Sequence, residues 1–203
     1  MKLLRPGILL LGWLLLPGPT LAACELPARP GADRHPLFSL DPHESKISFE
    51  ADARLHTFTG TVGKLSGRVR LSMISPPNDA EACVQIEAAS ITTGIDRRDE
   101  TMRTSHLHTD RYPAILFTLD RVDQIESDGS DRYAIALRGT LALHGVTSSL
   151  VIPATAHLSP NRLSIEADVP LRLSAFQIPI PSFLFISMKD EVMVRFRVRA
   201  VRQ

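Results

Sequence analysis

The sequence is poor in the residues that mark several classes of protein. It has two cysteines in 203 residues, too few for a disulfide-dense scaffold, and aromatic residues make up only 5% of it. Its 23 basic and 22 acidic residues give a formal net charge of +1, which predicts no nucleic-acid partner. Hydrophobic residues at 44% and charged residues at 22% are ordinary globular usage, which excludes a coiled coil and a polytopic membrane protein.

The first 23 residues have the organisation of a secretory signal peptide. Lys2 and Arg5 precede an apolar run over residues 8–16, and Pro17 and small residues follow it. The run is too short to span a bilayer, so we expect no permanent transmembrane anchor. We therefore expect residues 1–23 to be removed during export, which places the mature protein in the periplasm.

Two fates are open to Cys24. The stretch Leu21-Ala22-Ala23-Cys24 resembles a bacterial lipobox, in which a lipid-modified cysteine becomes the mature N-terminus. In this favoured interpretation residues 24–37 are a tether that holds the protein on the outer membrane. In the other, Cys24 forms a disulfide with Cys83, and the protein is soluble in the periplasm or secreted. The two fates exclude each other because both consume the same sulfur.

Apolar and polar residues alternate with period two over most of the chain. Alternation recurs in eight segments, at 47–55, 65–73, 84–88, 115–119, 133–143, 150–158, 163–173 and 192–198. Strands of an antiparallel sheet with one covered face have this pattern, and closure into a barrel removes unpaired edges. Residues 93–110 do not alternate and predict a short helix from Asp96 to about Thr104.

The interior of such a barrel is either a packed core or a cavity. Inward positions include small residues such as Ala51 and Ala154, which leave space unless phenylalanines fill it. The sequence alone leaves both interpretations open.

Four stretches in order carry a family resemblance: DPHES at 41–45, HTF at 56–58 with LSG at 65–67, residues 93–117 with Arg98-Asp99 and Tyr112-Pro113, and GTLALHGVT at 139–147. Together they resemble the YceI-like family of lipid- or polyisoprenoid-binding periplasmic proteins. The resemblance covers roughly residues 38–201. It implies an all-β fold, an extended eight-stranded antiparallel lipocalin-like β-barrel with one short helix near residues 96–104, in a domain that we place at residues 38–203.

The resemblance also implies a function, the binding of a long apolar lipid of polyisoprenoid or fatty-acyl type. We expect this lipid as the partner, together with contact with the membrane surface through a lipid on Cys24. We expect no enzymatic activity, no cofactor and no nucleic-acid partner. Homodimer formation is left open. Ten residues are expected to line the tunnel: Phe49, Ala51, Ile86, Phe117, Ile135, Leu137, Ile152, Ala154, Ile165 and Phe176. HLHT at 106–109 and LSAFQ at 173–177 depart from the family pattern, so recognition of a head group is not implied.

Two alternative functions stay open. His106 and His108 are two residues apart, a spacing that puts both imidazoles on one face of a strand and is seen in zinc sites. A small zinc-dependent enzyme is one alternative, although two solvated loop histidines have the same spacing. The other is an accessory protein of assembly or stress response whose ligand is only structural.

Overall fold

The structure is a computed structural model that describes residues 24–26, 35–53, 56–71, 80–127, 129–183 and 186–203. The predicted signal peptide and residues 27–34 of the predicted tether lie outside the described residues. So do residues 54–55 and 72–73, which end the first two alternating segments. None of the helices in the described ranges is long and apolar enough to cross a membrane.

Strands make up most of the described chain. They are β1 (Leu37–Leu40), β2 (Lys46–Ala53), β3 (His56–Val62), β4 (Leu65–Arg70), β5 (Glu81–Glu87), β6 (Ile91–Thr92), β7 (Ala114–Ser127), β8 (Arg132–Leu143), β9 (Val146–Leu158), β10 (Arg162–Arg172), β11 (Ser182–Phe183) and β12 (Ile186–Arg202). Helical segments are α1 (Asp96–Thr101), a π-helical turn (Met102–His106) and 3-10 turns at Ala88–Ser90 and Ser174–Phe176.

Antiparallel pairing closes the sheet into a barrel. The order β1-β4-β5-β7-β8-β9-β10-β12 returns to its start because β1 also pairs with β12. β2 continues from β1 along the same edge of β12, β3 pairs with β2, and β6 pairs with β3. β1 with β2, β3 with β4, and β5 with β6 therefore each act as one long bent strand. Together with β7, β8, β9, β10 and β12 they make eight, so the predicted eight-stranded antiparallel barrel is confirmed.

A helical segment covers one end of this barrel. The predicted helix is present as α1, and the π-helical turn extends it to His106, two residues beyond the predicted end. It leads into β7, so it lies at the end where β7, β9 and β12 begin and β10 finishes. We call residues 93–107, which include α1 and the π-helical turn, together with residues 172–181 the helical end.

Two glycines make room for phenylalanine rings on the inner wall. A Cβ atom on Gly139 would lie 2.4 Å from Cζ of Phe117 and 2.5 Å from the carbonyl oxygen of Thr118. A Cβ atom on Gly60 would lie 2.2 Å from Cε1 of Phe49. The rings of Phe49 and Phe117 therefore lie across glycines of the neighbouring strands, and the glycines fix the positions of both rings.

Substituting Gly139 with alanine is expected to destabilise the barrel. The added methyl group overlaps both a ring and a backbone oxygen, and overpacking of this kind costs about 1–3 kcal/mol. Urea unfolding of Gly139→Ala measures the loss, and Gly139→Ala combined with Phe117→Leu shows how much of it comes from the ring. A single variant as stable as the wild type would contradict the close packing.

The N-terminal segment is joined to the barrel wall by a disulfide. Cys24 and Cys83 are bonded, with their Cα atoms 5.6 Å apart and a sequence separation of 59 residues. Ala82 and Val84 line the interior, so Cys83, which lies between them on β5, points outward. The structure has the disulfide alternative for Cys24, and the lipid on Cys24, which this bond would exclude, stays a prediction. Of the predicted tether, Leu37 already belongs to β1, and residues 27–34 lie outside the described residues.

Candidate functional site

The barrel encloses a large apolar cavity. Its volume is about 1230 Å³, and side chains of the long strands β7, β8, β9, β10 and β12 contribute about half of its wall. Ligand sites generally measure about 300–1,000 Å³, and the interior of an eight-stranded barrel is wide enough for one small ligand. Of the two interpretations that the sequence leaves open, the structure has the cavity rather than the packed core.

Eight of the ten predicted lining residues lie on the cavity wall: Phe49, Ile86, Phe117, Ile135, Leu137, Ile152, Ile165 and Phe176. Ala51 and Ala154 do not line it, which corrects the prediction at these two positions. Both lie on inward strand faces, but a methyl group is shorter than its neighbours. Ala51 is only 1% exposed, and its register partners Phe58 and Val192 line the wall instead. That the eight contact a ligand stays a prediction.

Several wall residues at the helical end were missed by the sequence analysis. They are Thr93, Arg98, Thr101, Met102, Leu107, Arg172 and Ile178. Strand alternation assigns every second residue to the interior, whereas this polar segment has no such period. The sequence marked this end of the barrel only through residues 106–109 and 173–177, which depart from the family pattern.

Hydrogen bonds between histidines and backbone carbonyls connect the segments of the helical end. Nδ1 of His106 lies 2.7 Å from the carbonyl oxygen of Pro179. Nδ1 of His108 lies 2.8 Å from Nε2 of His144, whose own Nδ1 lies 3.0 Å from the carbonyl oxygen of Phe176. A carbonyl only accepts, so Nδ1 of His144 donates to it, and Nε2 of neutral His144 then accepts from Nδ1 of His108.

These contacts separate the two histidines of the zinc alternative. Nδ1 of His106 bonds to the 173–181 segment, whereas Nδ1 of His108 bonds to His144 in the β8–β9 turn. Among the described residues no group of three or more His, Cys, Asp or Glu side chains could hold a metal ion. The histidines instead fasten the helical segment over the end of the cavity.

Asp99 is buried at the start of the helical segment. It is 4% exposed, and its carboxylate accepts hydrogen bonds from the backbone N–H of Thr93 and from the hydroxyls of Thr92 and Thr93. Burial opposes the charged form, but these hydrogen bonds and the charge of Arg103 outweigh it and hold the pKa of Asp99 below its usual range. Asp99 therefore anchors Thr92 and Thr93 to the start of the helix.

The chain matches a known family over most of its length. The model of the YceI-like domain matches residues 38–200. The chain belongs to the YceI-like family.

Solved structures with the YceI-like barrel include proteins from three bacteria. Burkholderia cenocepacia BcnA is 20% identical with a TM-score of 0.67, over 79% of this chain and 98% of that chain. A polyisoprenoid binding domain from Saccharophagus degradans is 21% identical with a TM-score of 0.64, over 82% and 98%. The Campylobacter jejuni YceI protein is 17% identical with a TM-score of 0.54, over 71% and 84%. These similarities show a shared fold. No curated protein sequence matches the chain.

The lowered pKa of Asp99 predicts how this YceI-like barrel responds to acid. A carboxyl whose pKa is lower in the folded than in the unfolded state stabilises the fold at neutral pH. That contribution is complete above the unfolded pKa of about 3.9 and is lost as the pH falls through the folded value. We expect Asp99→Asn to lose about 1.5–3 kcal/mol at pH 7, because charge-assisted hydrogen bonds are lost.

Urea unfolding of the wild type and Asp99→Asn between pH 7 and pH 3 measures this effect. The difference in unfolding free energy should shrink toward pH 3. Asp96→Asn on the same helix is the control, since Asp96 is exposed and should show little difference at any pH. A difference for Asp99→Asn that does not change with pH would contradict the prediction.

Proposed function

We propose that this YceI-like protein binds one long apolar lipid inside the barrel and keeps it out of water. The observation that carries the proposal is the apolar cavity of about 1230 Å³ in the centre of the fold. Each buried methylene contributes about 0.8 kcal/mol before the costs of ordering the ligand. An apolar cavity of this size in an otherwise close-packed interior is costly unless a ligand fills it.

The ligand is of polyisoprenoid or fatty-acyl type. Such chains are long and unbranched or evenly branched, and they match a cavity that runs along the barrel between long strands. The Saccharophagus degradans structure with the same fold is described as a polyisoprenoid binding domain, which supports this class. The carrier role uses burial and requires no catalytic group, so we propose a binding protein and not an enzyme.

The proposed place of action is the bacterial cell envelope. The N-terminal 23 residues have the pattern of a signal peptide, and disulfides such as Cys24–Cys83 persist in oxidising compartments such as the periplasm. A soluble periplasmic carrier accounts for both features.

Native mass spectrometry of protein purified without detergent from its own host tests the proposal. We expect a mass excess equal to one lipid, which organic extraction removes and chemical analysis identifies. The control is the extracted and refolded protein, which should have the mass of the chain alone and take up added lipid. Protein that carries no lipid and takes none up would refute the proposed function.

A further inference from the structure

Few of the side chains on the cavity wall are ionisable, and the basic ones lie at one end of the barrel. Among the described residues the ionisable ones are Arg98, His106, Arg172 and Tyr133, with no aspartate or glutamate among them. Arg98 and His106 belong to the helical segment, and Arg172 ends β10 at the same end of the barrel. The wall is therefore apolar along its length and basic at the helical end, which is the charge distribution that complements an amphipathic anion.

Arg98 is held in place by uncharged groups. Its Nε donates to the hydroxyl of Thr93 at 2.7 Å, and its Nη2 donates to the carbonyl oxygen of Thr93 at 3.1 Å. Its guanidinium carbon lies 4.4 Å from the centre of the Phe58 ring. Because Asp99 fixes the Thr93 backbone and hydroxyl, the buried carboxylate positions the guanidinium through Thr93 and not through a direct ion pair.

The guanidinium of Arg98 has N–H donors left for a ligand. Of its five N–H donors, the two contacts with Thr93 use two, so three remain for another acceptor. No carboxylate oxygen lies within 4.0 Å of it in the described part of the chain, whereas Arg70, another poorly exposed arginine, has Glu81 at 2.7 Å. A half-buried guanidinium without a direct ion pair gains a charge-assisted hydrogen bond when a ligand supplies an anionic acceptor.

We propose that Arg98 binds the anionic head of the lipid, a carboxylate or a phosphate, while the apolar tail lies in the barrel. The inference rests on the proposed function, because the tail supplies most of the binding energy. The planar guanidinium fork matches both oxyanions, and Arg172 adds a second positive charge at the same end. A neutral alcohol or hydrocarbon of the same length makes no charge-assisted contact there.

Binding of matched ligand pairs to the lipid-free protein tests the proposal. One pair is hexadecanoic acid and 1-hexadecanol, and the other is geranylgeranyl monophosphate and geranylgeraniol. The wild type should bind each anion about tenfold more tightly than its alcohol, since hydrogen bonds to charged groups are the stronger class. Comparison of the two pairs identifies which oxyanion the site prefers.

Three variants separate the charge of Arg98 from its structural contacts. Arg98→Gln should lose about tenfold in affinity for the anions and keep its affinity for the alcohols, and Arg98→Lys should retain part of the preference. Arg97→Gln is the matched control, because Arg97 is the adjacent, exposed arginine and does not line the cavity. It should behave as the wild type.

The outcomes distinguish this inference from the proposed function. Equal binding of anion and alcohol by the wild type would overturn the role of Arg98 while the apolar-lipid function stands. An equal loss for both ligands in Arg98→Gln would overturn it as well, since the residue would then act through the fold. Failure of all four ligands to bind would refute the proposed function and the inference with it.

Discussion

Val194→Trp is expected to reduce the affinity for a sixteen-carbon lipid about fiftyfold while the barrel remains folded. Val194 lies midway along β12, on the cavity wall, with Val169 and Phe49 as its register partners. An indole at this position occupies space that the lipid tail would fill. Exclusion of about three methylenes at about 0.8 kcal/mol each corresponds to that factor.

A matched substitution on the outer face provides the control. Val151 lies midway along β9, is 49% exposed and is not on the cavity wall. Val151→Trp therefore adds the same side chain without changing the cavity, and it should bind hexadecanoic acid as the wild type does. Circular dichroism and urea unfolding of both variants verify that the barrel is folded.

Tryptophan fluorescence supplies a second measurement with the same two variants. The only tryptophan of the sequence is Trp13, within the predicted signal peptide, so each introduced indole reports alone in protein lacking residues 1–23. Emission from Val194→Trp should lie at shorter wavelength than emission from Val151→Trp, because its indole is in an apolar cavity. Unchanged lipid affinity in a folded Val194→Trp would show that the tail does not occupy the barrel.

The barrel could be predicted from sequence because its main physical constraint is local. Every long strand has one face toward the interior, so its apolar residues recur at every second position. β3 shows the limit of this signal. Its inward positions are Phe58, Gly60 and Val62, and the glycine that admits the Phe49 ring carries no hydrophobic signal of its own. Alternation alone therefore did not identify β3 as a strand.

The wall residues of the helical end could not be predicted in the same way, because they depend on the directions in which side chains point from the helix. Arg98 and Asp99 are adjacent and both charged, which in sequence is the pattern of a solvated surface. Successive residues on a helix point about 100° apart, so one side chain reaches the cavity while the other is buried beneath the turn at Thr92 and Thr93. Which of the two turns inward depends on how the helix packs on the barrel, and the sequence does not specify that packing.

Loss of the disulfide is expected to be among the most destabilising changes in the chain. The bond between Cys24 and Cys83 closes a loop with a sequence separation of 59 residues. Restriction of the unfolded chain by a loop of this length contributes about 4 kcal/mol in the chain-entropy description, within a measured range of about 2–5 kcal/mol. Cys24→Ala and Cys83→Ala should therefore each lose about this much unfolding free energy under non-reducing conditions.

The double variant distinguishes a disulfide from two independent cysteines. Because both single variants remove the same covalent bond, the double variant should be no less stable than either of them, and a reducing agent should lower the wild type to the same level. If Cys24 instead carried a lipid, Cys24→Ala would release the protein from the membrane, and Cys83→Ala would change stability little. Equal, non-additive losses together with an unmodified mature N-terminal peptide linked to Cys83 would establish the disulfide. A triacylated N-terminal peptide would contradict it, because the sulfur of Cys24 cannot form a thioether and a disulfide at once.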